Sequence, residues 1–199
     1  MVLRFVHTAD WQLGMKAQRV AAVAEQVREA RFETVRRIVK VAQERDAGFI
    51  LVAGDVFEHN AVSNELVYRL VRLLEQARLP IYLLPGNHDP LGPGSVYARP
   101  VMERRPPNVH ILAKREPVPV LEGEAFLLPA PVSQKRSESD PTLGLPATPE
   151  GAFRIGVAHG APRIEGKYQP DDHPIALDAA AREGLDYLAL GHWHSWVQI

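Results

Sequence analysis

Apolar positions along the chain alternate between short unbroken runs and longer stretches with helical spacing. Three short apolar runs in the first half have the length of buried strands, at residues 2–6, 49–53 and 81–84. Helical spacing of apolar residues lies between them, from about residue 20 to 45, and Ser63 can cap a second helix that continues to Ala77. This strand-helix-strand-helix-strand order predicts right-handed crossovers and a parallel sheet.

The second half of the chain predicts a further sheet. Short strands with few residues between them are typical of a mixed or antiparallel sheet, and three such runs occur at residues 109–112, 118–121 and 125–128. Residues 129–151, rich in proline, serine, threonine and charge, predict a long surface loop. The buried-strand pattern returns at residues 153–158 and 187–190, with a helix predicted between them at about 175–182.

Composition narrows the class of protein. The 199 residues are 46% hydrophobic and 24% charged, as in ordinary globular domains. The chain has no cysteine, which excludes disulfides and thiolate metal sites and fits a cytoplasmic protein. No apolar run suggests export or membrane insertion. A net charge of −1 argues against a strongly basic nucleic-acid binder, and the basic pairs at 104–105, 114–115 and 135–136 are interpreted as surface charges.

Polar residues follow five of the predicted strands at the point where each strand ends. They are Asp10, Asp55, Asn87 with His88, His159, and His192 with His194. In open α/β sheets, ligands bind beyond the carboxyl ends of the strands, so we expect these side chains to meet at one edge. Glycine at four of the five ends predicts tightly bent turns.

Each of these residues alone has an ordinary explanation as turn chemistry, but the whole set at equivalent strand ends indicates a metal site. Asp10 and Gln12 are either turn residues or half of that site, with glutamine as its unusual member. Their spacing of two, like that of His192 and His194, places both side chains on one face of an extended segment.

Carboxylate, amide and imidazole ligands suit Mn, Mg, Fe or Zn. More than four candidate ligands favour two ions over one. Two ions can share a carboxylate, for which Asp55 is the natural candidate, hold a hydroxide between them and clamp an in-line displacement at phosphorus. The residues therefore predict a phosphoester hydrolase.

As an ordered set, these motifs resemble those of the calcineurin-like metallophosphoesterases. The segments HTADWQLG, AGDVFE and PGNHD are similar in particular to the SbcD-type DNA repair exonucleases, and the motifs span residues 7 to 194. The resemblance implies an α/β fold in which a sandwich of two sheets is flanked by helices. It also implies a dinuclear metal site at the carboxyl ends of the core strands.

The resemblance implies a role for each matched residue. One ion would be held by Asp10, Gln12, Asp55 and His194, and the other by Asp55, Asn87, His159 and His192. His88 matches the histidine that contacts the scissile phosphate and aids the leaving oxygen. Glu58 falls where the family usually has an aspartate that orients this histidine. Gln12 replaces the usual histidine, so either its amide oxygen binds the ion or a water takes its place.

The remaining histidines and two tryptophans have no ligand role in these motifs. We expect His7 to be a core or supporting residue, and His59 and His110 to lie at the surface. His173 could approach the site on a loop, but solvent exposure is the expected state. Packing is the expected role of Trp11 and Trp193, with stacking of unpaired bases as the alternative.

The leading hypothesis is a metal-dependent nuclease that acts on DNA ends, as an exonuclease in DNA repair, with two Mn²⁺ ions; Mg²⁺, Fe or Zn are alternatives. Two other classes stay open: a hydrolase of small phosphodiesters or phosphomonoesters, and a binding module that has lost catalysis. Residues 1–199 would form one domain, either a short homologue or the catalytic core of a longer protein. The longer protein would add a capping region and a segment for an SbcC-type ATPase partner. A homodimer stays open.

Overall fold

The computed structural model describes residues 2–15 and 23–195. Its first sheet contains four parallel strands in the order β1-β2-β3-β4. They are β1 (Val6–Thr8), β2 (Ile50–Ala53), β3 (Ile81–Leu84) and β4 (Val109–Ile111). The parallel sheet predicted from the first half of the sequence is confirmed, but its first strand begins at Val6, where the predicted run of residues 2–6 ends.

The second sheet also has four strands, in the order β5-β6-β7-β8. They are β5 (Val118–Val120), β6 (Ala125–Ala130), β7 (Phe153–His159) and β8 (Tyr187–Gly191). Strand β5 is antiparallel to β6, whereas the other pairs are parallel, so the sheet is mixed as predicted. The assignment of residues 109–112 to this sheet is wrong. Val109 pairs with Ile81 in the first sheet, because the chain crosses over once more and returns parallel to β3.

In the described residues, four α-helices accompany the sheets: α1 (Ala24–Glu44), α2 (Asn64–Glu75), α3 (Pro100–Glu103) and α4 (Ala179–Arg182). The first helix begins at Ala24, and residues 20–22 of the predicted stretch lie outside the described residues. Ser63 caps α2 as predicted, since its Oγ accepts the amide of Leu66 at 3.2 Å. In the described parts of the chain, no helix is both long and apolar enough to cross a membrane.

The helix predicted at about 175–182 is confined to its last turn, α4. Residue 175 is held instead in an extended ribbon. The amide of Ile175 donates to the carbonyl of Ala161 at 2.8 Å, and its carbonyl accepts the amide of Arg163 at 2.8 Å. These bonds fix the segment before α4 against the loop that follows β7.

Three apolar clusters give the layers helix, sheet, sheet, helix. The outer face of the first sheet, including Ile50 and Val52, packs on α1 and α2. Leu51 and Ala53 alternate with them and face the second sheet, where β6 and β7 contribute Leu127 and Val157. A smaller cluster under α4 covers the outside of the second sheet. Because β2 is buried on both faces, it reads as a continuous apolar run.

Candidate active site

The loop after β1 lies beside the loop after β2, and backbone hydrogen bonds join the two. The amide of Asp10 donates to the carbonyl of Gly54 at 3.1 Å, and that of Gln12 to the carbonyl of Asp55 at 2.9 Å. Asp10 and Gln12 have left-handed backbone conformations, with φ of 55° and 45°. The expectation of an extended segment is therefore wrong, although the two loops still meet.

The side chains of Asp10 and Gln12 nevertheless both point to the loop after β8. Gln12 is buried, and its Nε2 lies 2.7 Å from Nε2 of His194. Asp10 Oδ2 accepts the amide of His192 at 3.0 Å, and Asp10 Oδ1 lies 3.9 Å from Nε2 of His194. Among the described residues, Asp10 Oδ1 is buried without a hydrogen-bond partner. A buried carboxylate oxygen left in this way is a candidate cation ligand.

Asp55 lies at the centre of the cluster and is fully buried. Its Oδ1 accepts the amide of His88 at 2.9 Å and lies 3.4 Å from Nε2 of His159. Asp10, Asp55 and His159 each offer a donor atom within 4.8 Å of the others. Burial raises the pKa of Asp55, but hydrogen bonding and charge from His159, with the His88 amide, outweigh it and hold this pKa below its usual value.

His159 is oriented by the carbonyl of Ala53, to which its Nδ1–H donates at 2.8 Å. Its Nε2 therefore faces the site, 2.9 Å from Oδ1 of Asn87. Burial lowers the pKa of His159, but the hydrogen bond to Asp55 and the Asp55 charge outweigh it and raise this pKa to about 9. A proton on Nε2 therefore occupies the position that a metal ion would take.

His192 completes this half of the site. Its Nδ1 lies 3.3 Å from Asn87 Oδ1, so the Asn87 oxygen is shared between two imidazoles. Its Nε2 lies 2.7 Å from Oδ2 of Asp172. Sequence reasoning missed Asp172, because it belongs to an irregular segment twenty residues before His192 and has no motif of its own.

His88 and Glu58 meet through the backbone as well as the side chain. Nδ1 of His88 donates to the Glu58 carbonyl at 2.9 Å, whereas the Glu58 carboxylate oxygen Oε1 is 3.8 Å away. Nε2 of His88 is left facing the cluster, 4.0 Å from Oδ2 of Asp55. The main chain at position 58 thus makes the hydrogen bond that the sequence suggested for the carboxylate.

Asp89 is a second residue without a role in the sequence reading, although it ends the PGNHD motif. It is fully buried, and its Oδ1 accepts the amide of Gly86 at 2.7 Å. Its Oδ2 accepts the amide of Phe57 at 2.9 Å and the hydroxyl of Tyr97 at 2.7 Å. Burial, with the nearby Asp55 charge, raises the pKa of Asp89 to about 6. Because its carboxylate accepts amides from both loops, Asp89 joins the loop after β2 to the loop after β3.

The glycines at the strand ends have two different functions. Gly54 has a φ of 93°, so the expected tight bend is confirmed there. The three others, Gly86, Gly160 and Gly191, lie outside the left-handed region and are needed for space. A Cβ at Gly86 would lie 2.2 Å from Asp55 Oδ1, and one at Gly160 would lie 2.1 Å from the His173 carbonyl.

The remaining histidines are placed mostly as expected. Nε2–H of His7 donates to the Leu190 carbonyl at 3.1 Å, and its Nδ1 lies 3.0 Å from Tyr187 Oη, which makes His7 a supporting residue behind β8. His110 is exposed. His173 is buried, so the expected solvent exposure is wrong; its Nε2 lies 3.1 Å from the Gln134 carbonyl. Trp11 is buried as predicted for a packing role.

The donor set fits divalent cations. The described cluster offers carboxylate and amide oxygens and imidazole nitrogens, which suit Mn, Mg, Fe or Zn. The unpartnered Asp10 Oδ1 lies on the side of Gln12 and His194, and the Asn87 oxygen lies between two imidazoles on the other side. Asp55 lies between these two halves, as a shared carboxylate would.

Comparisons with known proteins identify a family and several relatives. The family model described as calcineurin-like phosphoesterase matches residues 3–196. The uncharacterized metallophosphoesterase YhaO of Bacillus subtilis is 27% identical, with 96% of this chain and 48% of that protein aligned. The DNA double-strand break repair protein Mre11 of Methanopyrus kandleri is also 27% identical, over 96% of this chain and 44% of that protein. This chain thus spans about half the length of these relatives.

Two further matches are shorter or more distant. The SbcD component of the nuclease SbcCD of Bacillus subtilis is 29% identical over 44% of this chain and 22% of that protein. The crystal structure of TT1561 of Thermus thermophilus superimposes with a TM-score of 0.58 at 16% identity, covering 95% of this chain and 81% of the other. At that identity the likeness supports the fold alone.

Proposed function

This chain belongs to the calcineurin-like phosphoesterase family, and on that premise we propose that it is a metal-dependent nuclease that hydrolyses DNA phosphodiester bonds, as an exonuclease in DNA repair. Membership of this family supports the coarser assignment, a metal-dependent phosphoesterase. The DNA substrate, the exonuclease activity and the residue assignments are the parts that we propose.

One observation carries the proposal: five strand ends from two sheets bring their polar side chains to one cluster with an unpartnered carboxylate oxygen. The proposed ligands of the first ion are Asp10, Gln12, Asp55 and His194. The proposed ligands of the second ion are Asp55, Asn87, His159 and His192. Mn²⁺ is the proposed metal, because oxygen donors dominate the first half, where glutamine replaces the softer imidazole.

When bound, two divalent ions supply an activated water and neutralise the charge that develops on the phosphate. The protein's own residues supply position and a proton. Asp55 accepts the His88 amide and so fixes the loop that carries the imidazole. Because Nδ1 of His88 donates to the Glu58 carbonyl, the opposite nitrogen, Nε2, is free to hold a proton for the leaving oxygen. The side chain of Glu58 is a proposed support for the charged form of this ring.

DNA as the substrate is supported by relatives whose names give them a role in DNA double-strand break repair or as part of a nuclease. A net charge of −1 implies that few phosphates are neutralised, so DNA binding by this chain should be weak. By the same likeness, we propose that the chain acts within a longer protein with an SbcC-type ATPase partner.

The test compares substrates under one set of conditions. Purified protein with Mn²⁺ should degrade single-stranded or duplex DNA from its ends, and a chelator should abolish the reaction. Cyclic nucleotides and a chromogenic phosphomonoester serve as competing substrates, and Asp55→Asn serves as the matched inactive control. Turnover of the small esters without any action on DNA would favour the small-phosphoester alternative. No turnover of any substrate at saturating Mn²⁺ would indicate a binding module.

A further inference from the structure

His192 has two ring nitrogens with different partners. Its Nδ1 lies 3.3 Å from the Asn87 oxygen, inside the cluster, and its Nε2 lies 2.7 Å from Oδ2 of Asp172, outside it. A carboxylate can only accept, so the hydrogen of the neutral ring resides on Nε2. The lone pair of Nδ1 then faces a second lone pair on Asn87 Oδ1, and a cation bound by both atoms would relieve this repulsion.

We infer that Asp172 is a positioning residue for His192: it holds the ring hydrogen on Nε2 and directs the lone pair of Nδ1 toward the second ion. Carboxylates placed behind a ligating histidine commonly fix its tautomer and orientation and increase its basicity. This inference rests on the metal site of the proposed function, and it adds a residue that no strand-end motif contains.

Asp172 is itself held in place from two sides. Its carbonyl accepts the amide of Ala161 at 3.1 Å, which joins it to the loop after His159. On the other side, Ser137 forms a parallel bridge with Asp172: the Ser137 amide donates to the carbonyl of Asp171 and its own carbonyl accepts the His173 amide, both at 2.9 Å. The carboxylate therefore approaches His192 from a ribbon, residues 171–175, that is hydrogen-bonded to residue 137 on one side and to residues 161–163 on the other.

The ribbon can lie this close to the site because residue 160 is glycine. A Cβ at Gly160 would lie 2.1 Å from the carbonyl of His173, so any larger residue would push the ribbon away from β7. His173 anchors the same ribbon from inside, since it is buried and its Nε2 lies 3.1 Å from the carbonyl of Gln134. The ribbon thus gives a structural reason for both the glycine after His159 and the buried His173.

The neighbouring Asp171 offers a matched control. Its carboxylate also forms a short pair, with Arg136 at 2.6 Å, but this pair is at the surface, with 71% of the Arg136 side chain exposed. Asp171 and Asp172 share the same ribbon and the same residue type. Only Asp172 contacts a proposed ligand, so the two substitutions separate a role in positioning from a role in holding the ribbon.

The first measurement is the tautomer of His192 in metal-free protein, by ¹⁵N NMR of the imidazole nitrogens. The natural protein and Asp171→Ala should show the hydrogen on Nε2, and Asp172→Ala should show a mixture. The second measurement is Mn²⁺ binding by calorimetry. Asp172→Ala should weaken one of the two ions by about 10–100-fold, the usual cost of losing such a partner, and leave the other unchanged. Asp172→Asn keeps an acceptor oxygen, so its affinity for this ion should lie between those of the natural protein and Asp172→Ala.

Several outcomes would overturn the inference. An unchanged tautomer together with unchanged affinity for both ions in Asp172→Ala would show that the carboxylate does not act through His192. Equal weakening of metal binding by Asp171→Ala, or an equal fall in the melting temperature of both metal-free variants, would show a role in holding the ribbon. Failure of the natural protein to bind two ions would contradict the proposed function instead, while the tautomer measurement would still test Asp172.

Discussion

Replacing Asp89 by asparagine removes the charge from the buried carboxylate that joins the loops after β2 and β3. In the folded protein burial raises the pKa of Asp89 from 3.8 to about 6, so the folded state holds this proton more tightly than the unfolded state. The stabilisation from proton uptake is complete below pH 3.8 and is lost as the pH rises through about 6. At about 1.36 kcal/mol per unit, the loss between pH 4 and pH 7 is about 2–3 kcal/mol.

Asparagine cannot reproduce the hydrogen bonds of the carboxylate. Gly86 and Phe57 donate amides to its two different oxygens, so an NH₂ group in either position faces another donor. One buried amide is left unpaired, which costs about 1–3 kcal/mol at acid pH, where the natural carboxyl is neutral. The natural protein should therefore be more stable than Asp89→Asn at pH 4, and the difference should shrink toward zero at pH 7.

The assay is urea unfolding of both proteins in EDTA at several pH values between 4 and 7. Taking the difference between the two proteins cancels the other titrating groups, which they share. Tyr97→Phe is the control, because it keeps the carboxylate and removes one of its three donors, so its own stability should still fall over this range. A gap between Asp89→Asn and the natural protein that stays constant, or widens with pH, would mean that the three donors outweigh burial and the reasoning is wrong.

The other predictions concern the site itself. His88→Ala should lower turnover about 10²–10⁴-fold with both Mn²⁺ ions still bound, and metal analysis showing a lost ion would make it a ligand instead. Glu58→Ala should have a milder effect on turnover, because the carbonyl that accepts from His88 remains; an equal loss would mean that the carboxylate dominates. Gln12→His should tighten the first ion and shift its preference toward softer metals in calorimetric titrations, whereas unchanged binding would mean that residue 12 is no ligand. Metal binding at pH 7 should release about one proton, because the metal-free pKa of His159 is about 9, and affinity should rise with pH up to that value; heats of binding that do not depend on the buffer would contradict this.

The elements that could be predicted from the sequence are those whose burial restricts which residue types they contain. Strand β2 is covered on both faces, so its apolar run is unbroken, and the polar residue that ends it stands out. The serine that caps α2 was identified in the same way, from local chemistry. The sequence predicts that β4 is a strand but not which strand it pairs with. Its three residues do not indicate which of the two sheets they join.

Residues held by tertiary contacts alone could not be predicted. The ribbon at 171–175 has the composition of an exposed loop, and its order comes from backbone hydrogen bonds to residues 137 and 161–163, which no local pattern specifies. The sequence therefore assigns no role to Asp172 and predicts that His173 is exposed, whereas His173 is buried. The helix predicted from about residue 175 was too long for the same reason, since Ile175 is committed to that ribbon.

The spacing of the proposed ligands predicts which residues lie close together, but the extended backbone that it implies is incorrect. Two residues apart on a strand would share a face, yet the described chain places Asp10, Gln12, Asp55, His192 and His194 at positive φ, five of its nine such non-glycine residues. Each costs about 1–2 kcal/mol relative to ordinary backbone, and such residues tend to cluster at functional sites. The bonds that hold them join one loop to another, as between the amide of His192 and Asp10 Oδ2. The spacing therefore indicates which residues meet, while their orientation is set by contacts between the loops of two sheets.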